Sequence, residues 1–456
     1  MKGAGHMVVR DEQGRPLPLL RRIGAGGQAE VWASEGRVAI KLMHARTVRS
    51  AQRLRSRIGV IRRLDLDGVP ISRPLAMLAA PHVGYSMELL DDMVAIQTLA
   101  SAPGNRDLLD WYAGTGGLRR RLRLLSRAAD AFAALHAKGV VYADPSPANV
   151  MVSDTPRHEE VRLVDVDFVQ SESVVPDTIA TPGYAAPELL DGRSGVTGAT
   201  DAYAFAVIAF EVLTLAHPFL GDAVQEGDPD LLEHAYTGKL PWIDHPDDPS
   251  NRTRYGLPRE RVLASKLREL ASRTFQDGLE DAKARPTAGE WRTALRSAAD
   301  LTLACAGCPQ SNDVRLQVCP WCGLRAPDPL VAVVEFVRSG MPKAAPVGQM
   351  LAVPPGEWLP ITGRTSRMDA VEYDTAPVAW LYWEAEHRLV VRNPGPMPLW
   401  LTPAPDHGEL LVVEPSDELA VPADRAAPRW IVRFGPPGSP HRMLRFARVR
   451  GTEARP

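Results

Sequence analysis

From residue 17 the chain alternates apolar and polar positions in short runs. Residues 17–24, 29–34 and 37–42 are each of strand length. The breaks between them carry Gly24, Gly26 and Gly27 in one case and Glu35-Gly36 in the other. Three strands joined by tight turns are the expectation. The period then lengthens. Leu54, Ile58, Ile61 and Leu64 recur at helical spacing, with Arg49, Arg53, Arg57 and Arg63 among the polar positions, which predicts an amphipathic helix. Residues 83–88 read as a further strand leading into a connector. From Leu118 onward the helical period dominates, interrupted by short strands near Val150 and Val164. That order predicts a small β-rich lobe followed by a larger helical lobe.

The longest apolar stretch, residues 202–220, carries Glu211 and ends in His217-Pro218. An ionisable residue in mid-span is costly in lipid, so a buried core helix is expected there and no membrane span. After Asp328 the texture changes to Pro-rich and strand-like, and six of the ten Trp lie beyond Pro320. Residues 379–384, 388–392, 399–402, 409–413 and 430–434 read as strands, at a spacing that suits a sandwich or a barrel. The fold class expected is α+β: a bilobal domain over 15–300, a cysteine-bearing module over 303–326 and an all-β domain over 345–452.

Composition changes this picture little. The 456 residues suffice for about two to four domains at ~100–200 residues each. A net charge of −2 argues against a general nucleic-acid binder, which would be basic. Arg is concentrated in 46–63 and 118–127 and acidic residues in 221–249, which read as solvated faces. No apolar run with a cleavage site opens the chain, so no signal peptide, no membrane partner and a cytoplasmic location are expected.

Candidate chemistry lies in the first region. Gly24, Gly26 and Gly27 lack Cβ atoms, so their backbone N–H groups can approach phosphate oxygens closely. A strand rather than a helix follows them, which disfavours a dinucleotide-binding turn. Val38-Ala39-Ile40-Lys41 then closes an apolar strand with a cation suited to orienting phosphates. Asp144 and Asn149 lie five residues apart in a loop after a helix ending near His136. Asp144 can accept a hydroxyl proton and Asn149 can hold a metal. Asp165 follows an apolar strand and is placed to bind magnesium between phosphates. His136 reads as a structural hydrogen-bonding residue.

In this order the motifs resemble those of the eukaryotic-type protein kinase superfamily, over roughly residues 17–298. Residues 181–188 are similar to the end of a kinase activation segment. Asp201 is similar to the start of its central C-lobe helix, and Arg285 to the late Arg that pairs with the Glu of Ala-Pro-Glu, here Glu188. The resemblance implies a Ser/Thr protein kinase using ATP and Mg2+, with a protein substrate. It implies that Thr181 bonds Asp144. It also implies an adenine site formed by Val31, Ala39, the gatekeeper Met87 and the hinge residues Glu88 and Leu89. The form Asp-x-Ser-Pro-x-Asn is similar to that of a divergent bacterial group. Residues 181–188 argue against a small-molecule kinase.

The chain departs from the family in four places. His-Arg-Asp is replaced by Tyr142-Ala143-Asp144, which removes the usual partner of a phosphorylated activation loop. Ser146 stands where a Lys is usual, and Asp-Phe-Gly reads Asp165-Val166-Asp167. Between Lys41 and Glu88 there is no Glu, so the helix lacks the usual partner of Lys41. Arg57 lies near the expected place, with Gln52, Asp65 and Asp167 as candidate substitutes. A pseudokinase scaffold or nucleotide sensor is the alternative this opens.

The four cysteines, Cys305, Cys308, Cys319 and Cys322, have the spacing C-x2-C-x10-C-x2-C. Two knuckles can aim four thiolates at one ion, which predicts a closed structural Zn2+ site resembling a zinc ribbon. The ribbon or the β domain could recruit protein partners. Gly363-Arg364 is similar to part of a forkhead-associated motif, but no matching Ser-x-x-His accompanies it.

Overall fold

The computed structural model describes residues 7–173, 181–316, 318–325, 329–338, 343–368, 376–384, 388–404, 409–423 and 429–448. The chain divides into two compact units. One holds residues 1–116 with 120–295, the other 117–119 with 296–456.

The first unit opens on a hairpin, Val8–Arg10 with Pro16–Pro18, ahead of the three strands read from the sequence. The expected strand over 17–24 is two elements, because the chain turns after Pro18 and resumes as Arg21–Ala25. Leu19 is buried against Val9, Ile40 and Leu78 at that turn, so the hairpin is fastened to the sheet by apolar packing. The sheet is antiparallel, in the order Arg21–Ala25, Ala29–Ala33, Val38–Met43, Gly84–Glu88, Ala76–Met77. Its register sets Gly24 opposite Val31, Val31 opposite Lys41 and Lys41 opposite Tyr85. Alternation of side chains then puts Ala39 and Met87, which also pair, on the same face as Lys41.

The amphipathic helix is Val48–Ile61, opened by a reciprocal capping box between Thr47 and Ser50. It buries Ile58 and Ile61 and leaves Arg49 and Arg53 exposed. The helical lobe is centred on Gly198–Thr214, capped at its start by Thr197 and buried along most of its length. A helix apolar all round must sit inside a core, and Phe205, Phe210, Trp291 and Phe275 meet edge to face or tilted around it. Among the described residues no helix is long and apolar enough to cross a membrane.

The second unit is a sandwich. One sheet has six strands in the order Ala345–Val353, Leu330–Val337, His441–Arg448, Trp430–Arg433, Leu399–Pro403, Leu411–Val413. The other has four: Trp358–Thr362, Pro377–Glu384, Arg388–Arg392 and Glu418–Pro422. Leu330, Val334, Leu401, Val432 and Leu444 of the first sheet share one core with Leu381, Trp383, Leu389 and Val391 of the second. The sheet takes in Leu330–Val337, ahead of residue 345, where the β domain was expected to begin. Residues 449–452 of that expectation lie outside the described residues. Ahead of the sandwich, Thr302–Ala304 and Ser311–Asp313 form a short hairpin. Leu301 and Val314 pack with Val331 and Ala352, so the cysteine module shares a core with the sheet. Arg364, in the short helix Gly363–Ser366, donates to both oxygens of Asp300 at 3.1 and 3.0 Å.

Candidate active site

The loop bearing Asp144 is set by the buried central helix. The Asp201 carboxylate is fully buried and accepts from the backbone N–H of Tyr142 at 2.7 Å and of Ala143 at 2.9 Å. It also pairs with His136 Nε2 at 3.0 Å. Charge-assisted bonds of this kind hold a loop firmly, and here they hold Ala143 at a φ of 76°, a left-handed conformation unusual for a residue with a Cβ. Tyr142, where the family has His, donates its hydroxyl to the carbonyl of Val164. That ties the loop to the strand end preceding Asp165.

Three predicted residues meet on this loop. Thr181 Oγ1 donates to Asp144 Oδ1 at 2.6 Å. Asn149 Nδ2 donates to the Asp144 carbonyl at 3.3 Å, and the Val164 N–H donates to the Asn149 carbonyl at 3.0 Å. Burial raises the Asp144 carboxyl above the usual range; the Thr181 bond opposes this and the charge of Asp165 adds to it. Residues 174–180 of the expected activation segment lie outside the described residues.

Across the sheet, Lys41 Nζ lies 2.6 Å from Asp165 Oδ1 and 2.6 Å from Asp167 Oδ2. Burial alone would push the ammonium down, but Asp167 and then Asp165 outweigh it and hold its pKa above the ordinary value. Of the candidate partners, Asp167 is the one that reaches Lys41; Asp65 instead pairs with Lys138 at 2.7 Å. Arg57 lies over the ring of Phe168, 4.5 Å from its centroid. The sequence reading missed Tyr85, whose hydroxyl donates to Asp167 Oδ1 at 2.9 Å. A polar ring hydroxyl in the same cross-strand row as Lys41 was the available signal.

The remaining positions surround this centre. A Cβ built on Gly27 meets no described atom within 4 Å, and on Gly26 only the Ala29 carbonyl at 4.0 Å. Packing in the chain therefore does not require glycine there; the bare backbone is open to a ligand instead. Val31 and Ala39 lie on the Lys41 face, and Met87 is buried beside Ala39. Glu88 is exposed at the strand end. The Leu89 N–H donates to the Arg37 carbonyl at 2.8 Å, so that amide is already engaged within the chain.

The loop at residues 181–188 rests on a second buried group. Tyr184 donates to Glu211 Oε2 at 2.7 Å. His217 Nε2 donates to the Gly183 carbonyl at 3.0 Å while its Nδ1 accepts from the Phe219 N–H at 3.2 Å. That pattern fixes a neutral ring, and burial pushes its pKa down to about 4. Beyond the loop, Arg285 holds both oxygens of Glu188 at 2.6 and 2.8 Å, the fork geometry of a strong pair. Burial raises the Glu211 carboxyl from 4.5 to about 7, against the opposing bond from Tyr184. Between these two values the folded chain keeps a proton that the unfolded chain releases, so this group makes stability fall as pH rises through that window. At ~1.4 kcal/mol per unit the loss is at most about 3.5 kcal/mol. Denaturant unfolding of Glu211→Gln between pH 4.5 and 8 should therefore show the variant gaining on the wild type as pH rises; a constant difference would refute the assignment.

In the second unit, the four cysteine sulfurs lie within 4.8 Å of one another. Cys305 and Cys322 Sγ are 3.7 Å apart, and Cys308 and Cys319 Sγ 3.8 Å. A disulfide would need about 2.05 Å, whereas a tetrahedron with metal–sulfur bonds of about 2.3 Å has edges of about 3.8 Å.

Comparison with known proteins agrees with this geometry. The family model described as protein kinase domain matches residues 19–294, more than half of the chain. A serine/threonine-protein kinase of Myxococcus xanthus is 30% identical over 239 residues, covering 49% of this chain and 27% of the relative. A second kinase of that organism is 32% identical over 215 residues, 44% of this chain and 29% of its own. A DNA damage-responsive serine/threonine-protein kinase of Deinococcus radiodurans is 31% identical over 241 residues, 48% and 32% respectively. The chain thus spans less than a third of the length of each of these relatives.

Proposed function

Because the chain belongs to the protein kinase family, we propose that it transfers the γ-phosphate of ATP to Ser or Thr hydroxyls of a protein substrate, in bacterial signalling. The observation that carries this is the convergence of Lys41, Asp165, Asn149 and Asp144, with Thr181 bonded to Asp144 at 2.6 Å.

In this reading Asp144 takes the proton of the attacking hydroxyl, and Thr181 fixes the rotation of its carboxylate. Lys41 orients the α- and β-phosphates. The backbone of Gly24, Gly26 and Gly27 receives the phosphate oxygens. Val31, Ala39 and Met87, with the backbone of the hinge at Glu88 and Leu89, receive the base. Asn149 and Asp165 offer hard oxygen donors of the kind magnesium takes; the ion, when bound, supplies neutralisation of charge on the transferring phosphate. The Asp165 side chain is 40% exposed, against 6% for Asp167, so the metal role falls to Asp165. The catalytic reading is favoured over a scaffold because a carboxylate reaches Lys41 while Arg57 stacks on Phe168.

Cys305, Cys308, Cys319 and Cys322 would hold one structural zinc. Four thiolates kept for a metal suit a reducing compartment, which supports a cytoplasmic location. The ribbon and sandwich are the surfaces proposed for protein partners.

The test is phosphoamino-acid analysis. The full chain is incubated with magnesium, γ-labelled ATP and a generic basic protein, and the labelled protein is hydrolysed. Phosphoserine and phosphothreonine are expected. Phosphotyrosine alone, or no protein-bound label, would overturn the reading.

A further inference from the structure

The family's usual arrangement sets the strand Lys with a Glu from the neighbouring helix, and movement of that helix switches the pair on and off. This chain has no acidic residue at all from 42 to 64, so its helix Val48–Ile61 cannot supply the partner. We infer that Asp167, in the place of the motif's glycine, is the positioning residue for Lys41, and that Lys41 is thereby set without a carboxylate from the helix. The inference rests on the phosphoryl-transfer reading above.

Four observations carry it. First, the Asp167 carboxylate is fully engaged: Oδ2 lies 2.6 Å from Lys41 Nζ and Oδ1 accepts from Tyr85 at 2.9 Å. A carboxylate held at both oxygens cannot rotate away. Second, the pair is sheltered, with side-chain exposures of 7% for Lys41 and 6% for Asp167, so solvent screens it little. Third, Tyr85 and Lys41 are register partners on adjacent strands. The sheet itself delivers the ammonium and the hydroxyl to one carboxylate. Fourth, Arg57, near the place of the family's helix Glu, lies over the Phe168 ring at 4.5 Å, so the helix packs on the turn that carries Asp167 through a cation and offers Lys41 no carboxylate.

Division of labour follows. Asp165 and Asp167 lie two residues apart, separated by the buried Val166. The buried Asp167 serves as fixed counter-ion, while Asp165, whose Oδ1 also lies 2.6 Å from Lys41 Nζ, is the more exposed of the two and the one a metal would meet. The Asp at the glycine position is then a replacement part and not a lesion. Restoring the family's glycine should harm the enzyme.

The experiment compares steady-state kinetics of the full-length wild type with Asp167→Gly, Asp167→Asn and Asp167→Glu, together with Arg57→Ala. Asp167→Asn keeps the volume and a hydrogen bond to Tyr85 but removes the charge, so it carries the test if the glycine variant fails to fold. Loss of phosphate alignment should lower kcat by about 10–10²-fold in both the Gly and Asn variants, with melting temperature and magnesium-ATP affinity near wild type for Asn. Asp167→Glu should recover part of kcat, which a merely structural role would not require. Arg57→Ala should stay within about threefold of wild type, since the partners of Lys41 are Asp165 and Asp167. Wild-type kcat in Asp167→Asn, or a tenfold loss in Arg57→Ala, would overturn the inference while leaving the kinase reading intact. A wild type without transfer would instead remove the reading on which both stand.

Discussion

Stripping zinc from the chain should unfold the segment from Cys305 to Cys322 and loosen the sheet beside it. Among the described residues the module has one short hairpin, packed on the neighbouring sheet through Leu301 and Val314, so the proposed zinc is the expected source of order around the four cysteines. Structural zinc contributes about 10–16 kcal/mol in comparable small modules near neutral pH, far more than the hairpin could supply. The effect should spread, because Leu301 and Val314 complete an apolar cluster with Val331 and Ala352 of the sandwich. Metal analysis should give one zinc per chain. A strong chelator should release it, expose the ribbon to protease and lower the melting temperature of the second unit. Cys322→Ser should do the same in part. A metal-free chain with two disulfides by mass spectrometry would contradict this, and the sulfur separations of 3.7 and 3.8 Å argue against that outcome.

Asp144→Ala should lower γ-phosphate transfer by about 10²–10⁴-fold, the usual contribution of a positioned general base. Nucleotide affinity should change little, because Lys41, Asp165 and the glycine turn are untouched. The loop should also keep its shape, since the Asp201 carboxylate holds it through the backbone of Tyr142 and Ala143. Thr181 would lose its acceptor, so any residual activity should depend less on the identity of residue 181. This separates a chemical role from a folding role at the same position.

The parts of the site that were legible in the sequence are those written in local motifs. Gly24, Lys41, Asp144, Asn149 and Asp165 each sit in a short segment whose residue types follow from phosphate or metal chemistry. Their order along the chain then implied their assembly. The partner of Lys41 was not legible in that way. Gln52, Asp65 and Asp167 were all open, and only the register of Lys41 with Tyr85 and the turn after Leu163 decide for Asp167. The Leu89 amide shows the same limit: its use by Arg37 depends on strand pairing that no motif encodes.

Fold legibility followed the same line. The buried central helix was plain from an apolar run too long for a strand. The hairpin Val8–Arg10 with Pro16–Pro18 was missed because each strand is three residues long, too short to show a period. Leu330–Val337 was missed because it is apolar nearly throughout, and a central strand covered on both faces loses the alternation that marks an exposed one. Cysteine spacing predicts four sulfurs around one point, and the four Sγ atoms lie within 4.8 Å of one another. That the module's hairpin completes the core of the neighbouring sheet depended on Leu301 and Val314, which carry no such signature.

The central claim is that this chain catalyses phosphoryl transfer despite lacking the helix Glu. The most direct measurement is incorporation of label from γ-labelled ATP with magnesium, by the wild type and by Asp144→Ala, into the chain itself and a generic basic protein. Incorporation should disappear in Asp144→Ala while calorimetric ATP binding persists in both. Equal incorporation in the two proteins, or none in a wild type that binds ATP, would contradict it.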